Sequence, residues 1–232
     1  MRRAVADYSM ISDGDRICVG VSGGKDSMML LNAMSVYRRF SPEKFDLTAV
    51  CVDIGLGTDY SALEEFASRL DVPLMIKKTE IARIVFDERK EKNPCSLCAN
   101  LKRGALHNAA LEAGCRTIAL AHHADDLMET FLLGVLYEGR IHTFLPKTHL
   151  DRRDVTVIRP FIYIYENEIV YSVNRNGIPV IKSGCPADGF TRREEMKELV
   201  KRLRTQIPGS EKRLFTAVKE NVDREMKEAG LL

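Results

Sequence analysis

No stretch of this 232-residue chain approaches the ~18 uncharged apolar residues that a membrane-spanning helix requires, so no bilayer span is expected. Met1-Arg2-Arg3-Ala4, followed by Asp7 and Tyr8, lacks the apolar core of a secretory signal, and the expected compartment is cytoplasmic. Charge of either sign is nearly cancelled. The 35 Lys and Arg against 33 Asp and Glu leave +2, too little for the sum to argue for a nucleic-acid partner. There is no internal repeat and no low-complexity segment, which argues against a solenoid or an array.

With 45% hydrophobic residues, the length suits one sizeable core: a single α/β domain with a small appendage. The six cysteines do not read as a disulfide framework, since Cys18 and Cys51 sit inside apolar runs and Cys95 and Cys98 form a C-x-x-C pair. That usage suits a reducing compartment and metal ligation. Basic residues gather near the end: eight between Arg192 and Arg213, against four glutamates. They could track a phosphate backbone, but the pattern reads first as a solvated helix face.

Four short apolar runs, mostly rich in β-branched residues, lie at 15–21, 46–53, 72–77 and 117–121, separated by helical periodicity. Helices are expected over 27–40, about 59–70, 97–113 and 125–138, with Gly114 and Gly139 as stops. A fifth strand, 155–159, precedes Pro160. A helix over about 166–176 and a short run at 178–181 follow, and from about Phe190 come two helices broken at Pro208-Gly209. Alternating strand and helix predicts a parallel doubly wound sheet with a helical C-terminal appendage, divided near 189/190. Ligands should then bind at the carboxyl ends of the strands.

Directly after the first strand comes Ser22-Gly23-Gly24-Lys25-Asp26-Ser27, then a helix. Two glycines allow close approach of backbone to an anion. The helix N-terminus aims amide donors at it, and Lys25 with the hydroxyls of Ser22 and Ser27 adds contacts. The segment is neither G-x-x-x-x-G-K-[ST] nor G-x-G-x-x-G, so neither γ-phosphate hydrolysis nor hydride transfer follows from it. It resembles the PP-loop signature SGGxDS of the ATP-pyrophosphatase superfamily, of the adenine-nucleotide alpha-hydrolase-like fold. That resemblance implies cleavage of ATP between the α and β phosphates, and it makes Val52 and Asp53, at the second strand's end, candidates for adenosine contact.

Cys95-Ser96-Leu97-Cys98 opens a helix that continues Asn100-Leu101-Lys102-Arg103, and Cys185 stands in a Gly184-Cys185-Pro186 turn. Three thiolates can hold three irons of a cubane and leave the fourth iron open. A structural zinc or a redox dithiol would use the same C-x-x-C, and spacing alone leaves zinc and iron-sulfur open. Cys18, Cys51 and Cys115 read as core or helix-end residues. After the fourth strand, His122-His123-Ala124-Asp125-Asp126 would place imidazoles and carboxylates over the crevice, where Asp125 or Asp126 could hold Mg2+ or act as a base. Lys102, one turn after Cys98, could orient substrate, and Arg159, at a strand end, could meet a phosphate. Each of these has an ordinary reading too: helix cap, local packing or solvent-exposed cation.

The order SGGKDS, CSLC with a basic helix, HHADD, IRP and a Gly-Cys turn resembles the tRNA 2-thiocytidine synthetases from about Arg16 to Leu203. That resemblance implies Cys95, Cys98 and Cys185 as ligands of a [4Fe-4S] cluster, with ATP, Mg2+, an anticodon-loop cytidine of tRNA as substrate and RNA binding. It also implies a sulfur donor, either a cysteine desulfurase or free sulfide, and leaves a homodimer open. Two departures stand out: the second C-x-x-C reads Cys185-Pro186-Ala187-Asp188, which makes Asp188 a candidate fourth ligand, and the chain is shorter than typical members. The zinc-ribbon cysteines of the related 2-thiouridine enzymes are absent. Two alternatives stay in view: a lysidine-type or amide-forming ligase, which has no use for three cysteines, and a nucleotide-binding module with a structural zinc.

Overall fold

The β-branched runs form a six-stranded sheet in the computed structural model, which describes residues 1–89, 94–181, 184–185 and 192–232. The strands are β1 (Asp15–Gly20), β2 (Phe45–Asp53), β3 (Leu74–Lys78), β4 (Thr117–Ala119), β5 (Lys147–Leu150) and β6 (Val155–Ile158). Their order is β3-β2-β1-β4-β6-β5. All neighbours pair in parallel except β5, which runs antiparallel to β6 with Lys147 opposite Ile158. Chain order reverses between β1 and β4, and this switch point opens a crevice at the carboxyl ends of those two strands.

Helices α1 (Arg2–Asp7), α2 (Lys25–Arg38), α3 (Ser61–Arg69), α4 (Pro94–Glu112), α5 (Ala124–Leu133) and α6 (Glu166–Arg175) surround the sheet, and α7 (Arg192–Gln206) and α8 (Ser210–Glu228) follow. Helix α4 begins on Pro94, whose fixed φ suits a first helical residue, and stops at Gly114 with φ +71°. The helix expected over 125–138 is α5 continued by a π-helical turn, Gly134–Glu138, which ends on left-handed Gly139. Three elements had no strong sequence signal: the short α1, a π-helical segment Arg83–Arg89, and edge strand β5. Among the described residues no helix is long and apolar enough to cross a membrane.

The strands are buried because helices cover both faces, which is why they read as near-continuous apolar runs. Cys18, Cys51 and Cys115 are buried, as their apolar neighbours suggest. The last helix is integral to this core. Val218, Val222 and Met226, spaced four apart on one stripe of α8, are each no more than 1% exposed and join the main cluster with Ala4, Val5 and Tyr8. Tyr8 donates its hydroxyl proton to Asp223 at 2.8 Å. The division expected near 189/190 lies outside the described residues.

Removing most of the Met226 side chain should therefore act as a core truncation. Urea unfolding of Met226→Ala is expected to show a loss of about 2–5 kcal/mol, whereas a loss under about 1 kcal/mol would make α8 a loosely attached tail.

Candidate active site

At the end of β1 the chain turns through Ser22, Gly23 and Gly24 into α2. Gly23 has φ +85°, and a Cβ placed on it would lie 2.9 Å from the Cβ of Ile181. The run 178–181 adds no strand to the sheet; it lies against this loop instead, and Ile181 donates its N–H to the Gly23 carbonyl at 2.9 Å. Gly23 is thus required by both backbone conformation and close approach. Gly24 is the N-cap of α2. The buried Ser27 hydroxyl accepts the Ser22 N–H at 3.1 Å and donates to the Gly24 carbonyl at 2.9 Å, fixing the loop from below. Lys25 points to the rim, where its Nζ stands 2.9 Å from both Asp26 Oδ2 and Glu166 Oε1.

A cavity of about 430 Å³ opens over this loop. Gly20, Val21, Ser22, Gly24, Asp26 and Ser27 form its floor; Val50 and Val52 of β2 one wall; Leu120, Ala121, His122 and Asp126 another. Helix α4 closes the side with Ala99, Lys102, Arg103, Leu106 and His107, the face expected of residues three and four apart. An apolar slot beside a helix N-terminus and a glycine loop suits an adenine nucleotide with its phosphates on the loop. Val52 lines the cavity. Asp53 is not among its lining residues: its Oδ1 accepts the Gly55 N–H at 2.9 Å, where it holds a turn.

Carboxylates crowd the start of α5. Asp126 lines the cavity and caps the helix by accepting the His123 N–H at 3.0 Å. Asp125 faces away, accepting the Glu166 N–H at 2.7 Å and lying 3.7 Å from Arg204. His123 Nε2 sits 3.4 Å from Asp126 and 3.9 Å from Asp26. Burial pulls its pKa down, but Asp125, Asp126 and Asp26 together raise it above the ordinary value. Glu129, one turn further, is 5% exposed, and burial with the neighbouring Asp126 pushes its pKa up to about 7.

The cations that answer these acids come from the far end of the chain. Arg193 of α7 lies 3.2 Å from Asp126 and 3.5 Å from Glu129, and donates to Thr130 at 3.1 Å. Lys197 reaches Glu166 at 2.9 Å. Three of the eight basic residues between Arg192 and Arg213, namely Arg193, Lys197 and Arg204, answer the acids around the site, while Arg192, Lys201, Arg202, Lys212 and Arg213 lie on the solvated face that the pattern suggests. Nothing in the local pattern of α7 marks Arg193 or Lys197, because their partners are 67 and 31 residues away in sequence. Arg103 and His107, which sequence reasoning also missed, were within reach of the α4 periodicity.

His122 differs from its neighbour. It lines the cavity, packs against Phe144 with ring centroids 5.0 Å apart and tilted by 45°, and burial with Arg159 pushes its pKa down to about 4. Its Nδ1 is buried without a hydrogen-bond partner, as are Asp26 Oδ1 and Arg159 Nε. Asp26 and His122 line the cavity, and their orphaned polar atoms mark places where a polar ligand belongs.

Cys95 and Cys98 stand on the first turns of α4, and Cys98 is 7% exposed. Burial raises the Cys98 pKa, Lys102 opposes this, and Cys185 and Cys95 raise it further, so the three sulfurs share one neighbourhood with Lys102. Among the described residues, no three His, Cys, Asp or Glu side chains are already drawn into a metal-holding group. All three thiols are outside disulfides. Cys185 is four residues beyond Ile181, so its Cα lies within about 14 Å of the residue that buttresses Gly23. Asp188 lies outside the described residues.

The two histidines carry a testable difference. An unfolded chain protonates His122 below about pH 6.5, the folded one only near pH 4, so this contribution to stability is present above about pH 6.5 and is lost as pH falls toward 4. Between pH 7.5 and 5 the wild type should lose about 2 kcal/mol more than His122→Gln in denaturant titrations. Equal losses would mean that His122 titrates normally.

A model of the PP-loop domain family matches residues 2–202. The chain is 41% identical to a tRNA-cytidine(32) 2-sulfurtransferase of Pelobacter propionicus, across 89% of this chain and 78% of that protein. It is 36% identical to the protein of that name in Citrifermentans bemidjiense, across 99% and 91% of the two. Among solved structures, the U34-tRNA thiolase NcsA of Methanococcus maripaludis, described with its [4Fe-4S] cluster, superposes with a TM-score of 0.77. At 22% identity over 96% of this chain and 77% of that one, the superposition shows the shared fold. The loop on β1, the cavity at the switch point and these relatives agree: the chain belongs to the PP-loop family, among the tRNA-cytidine(32) 2-sulfurtransferases.

Proposed function

We propose that this protein uses ATP to replace the C2 oxygen of an anticodon-loop cytidine in tRNA by sulfur. The observation that carries the reading is the double service of α4. Its first turns present Cys95 and Cys98, and one turn later Lys102 lies on the wall of the nucleotide cavity while acting on the Cys98 thiol. A ligase that adenylates without thiolating would have no use for thiols beside that wall.

In the first step the cytosine C2 oxygen attacks the α-phosphorus, the bond to pyrophosphate breaks, and an O-adenylated base forms. Gly23, Gly24, Ser22 and Ser27 surround the departing pyrophosphate with backbone N–H groups and hydroxyls. Lys25, and His123 with its pKa raised by Asp125, Asp126 and Asp26, offset its growing negative charge. Asp26 and Asp126 both line the cavity, and the partnerless Asp26 Oδ1 suits Mg2+ held by two carboxylates and phosphate oxygens. Asp125, tied to Glu166 and His123, orients this set and does not face the reacting atoms. In the second step sulfur bonds to C2 and AMP leaves with the oxygen.

Cys95, Cys98 and Cys185 would hold a [4Fe-4S] cluster; that all three are outside disulfides and share one electrostatic neighbourhood fits three-thiolate ligation. When bound, such a cluster supplies sulfur activation at an iron that the protein leaves unligated. Lys102, between thiols and cavity, stabilises negative charge as AMP departs. The base must be splayed from its loop to reach this depth, which suits single-stranded anticodon RNA.

Mass spectrometry of nucleosides from tRNA incubated anaerobically with protein, ATP and sulfide tests the reading. Wild type should form 2-thiocytidine. Cys185→Ala should form none while binding ATP within about threefold of wild type, because the phosphate loop is untouched. Lys102→Ala should slow thiolation by roughly 10²–10³-fold with its iron content unchanged. Thiolation retained in Cys185→Ala would remove the three thiolates from the mechanism.

A further inference from the structure

Cations at and near the cavity fall into two groups. Lys25, Arg193, Lys197 and Arg204 each meet a carboxylate. Lys102 and Arg103 on the cavity wall, and Arg159 behind His122 and Phe144, meet none among the described residues; Lys102 is the one that faces the thiols. Arg159 follows β6, two strand positions from β1 in the order β1-β4-β6, hence about 10 Å along the carboxyl edge from the phosphate loop. Its guanidinium lies over the ring of Phe144 at 5.0 Å, Nη1 donates to the Leu145 carbonyl at 2.6 Å, and Nε is buried without a partner. Phe144 also packs, tilted, against His122, which lines the cavity with its Nδ1 unpartnered. Arg103 stands on the exposed side of α4 at the cavity mouth. Burial, and then the Arg103 charge, push Arg159 down to about 10, so the two guanidiniums feel each other.

A half-buried guanidinium without a counter-charge, in the field of a second one, is unfavourable until an anion arrives. The planar fork of arginine fits phosphate oxygens. The nucleotide's own phosphates already have the glycine loop and Lys25, and the Arg103 rim is open to solvent, where uncompensated positive charge draws a polyanion. Resting on the thiolation reading, we propose that Arg159 and Arg103 form a subsite for a backbone phosphodiester of the RNA substrate, next to the base being activated. With the phosphate held there, the splayed nucleotide is anchored across the cavity from the phosphate loop.

The same phosphate chemistry could belong to ATP, and two binding measurements separate the sources. Fluorescence anisotropy with a labelled, unmodified tRNA transcript reads RNA affinity at several salt concentrations. Calorimetry with an ATP analogue non-cleavable at the α–β bond reads nucleotide affinity. The exposed change Arg103→Ala should keep the fold and weaken RNA binding about 5–10-fold, with the salt slope lower by about one. Arg159→Met should do at least as much, and Arg159→Lys should recover part of the affinity because charge returns without the fork. Nucleotide affinity should stay within about twofold in all three. RNA affinity unchanged in Arg103→Ala and Arg159→Met would overturn the subsite, as would a fall in nucleotide affinity alone. No binding of the transcript by wild type would overturn the thiolation reading itself, and the subsite with it.

Discussion

Four carboxylates gathered at one edge of a sheet, Asp125, Asp126, Glu129 and Glu166, cannot share a half-buried space unless cations reach them from elsewhere. That constraint ties the chain together. Lys25 comes from the phosphate loop, His123 from the end of β4, and Arg193, Lys197 and Arg204 from α7. The acids fix where α7 docks, and α8 follows it back to α1, so the last helices belong to the core that holds the site. Breaking one partner leaves the other charged and half-buried, which couples the stability of the fold to the charge state of the site.

A parallel sheet supplies the second constraint. Its switch point, between β1 and β4, gives the only part of the molecule where a glycine loop, a histidine-acid turn and a covering helix converge in one cavity among the described residues. Helix α4 covers that cavity with one face and carries two thiols at its start. On the proposed function, nucleotide and sulfur chemistry would be joined through a single element, α4. Ile181, pressed on Gly23, ties the stretch leading to Cys185 to the phosphate loop from the other side.

Much of this was legible in the sequence because it is local. Strand-loop-helix order around Ser22–Ser27, the C-x-x-C at a helix start, and His-His-x-Asp-Asp after an apolar run all announce themselves within a few residues. Fold class and family followed from them. The edge strand Lys147–Leu150 was not legible, since KTHL has no apolar alternation and is held by pairing with β6. The role of α7 was hidden for a related reason. Arg193 and Lys197 look like any solvated pair until their acids, far off in sequence, come within 3.2 and 2.9 Å. Asp125 and Asp126 are adjacent and chemically identical, and only the fold turns one to the cavity and the other to Glu166.

The central claim is that Cys95 and Cys98 at the start of α4, together with Cys185, form one catalytic unit with the ATP cavity that α4 walls. Anaerobic purification followed by iron, acid-labile sulfide and zinc analysis, on wild type and Cys98→Ala, tests it most directly. The account predicts about four irons and four sulfides per chain in wild type and their loss in the variant, with ATP still bound by both. Stoichiometric zinc without sulfide would contradict it and make the cysteines a structural site beside a nucleotide-binding fold.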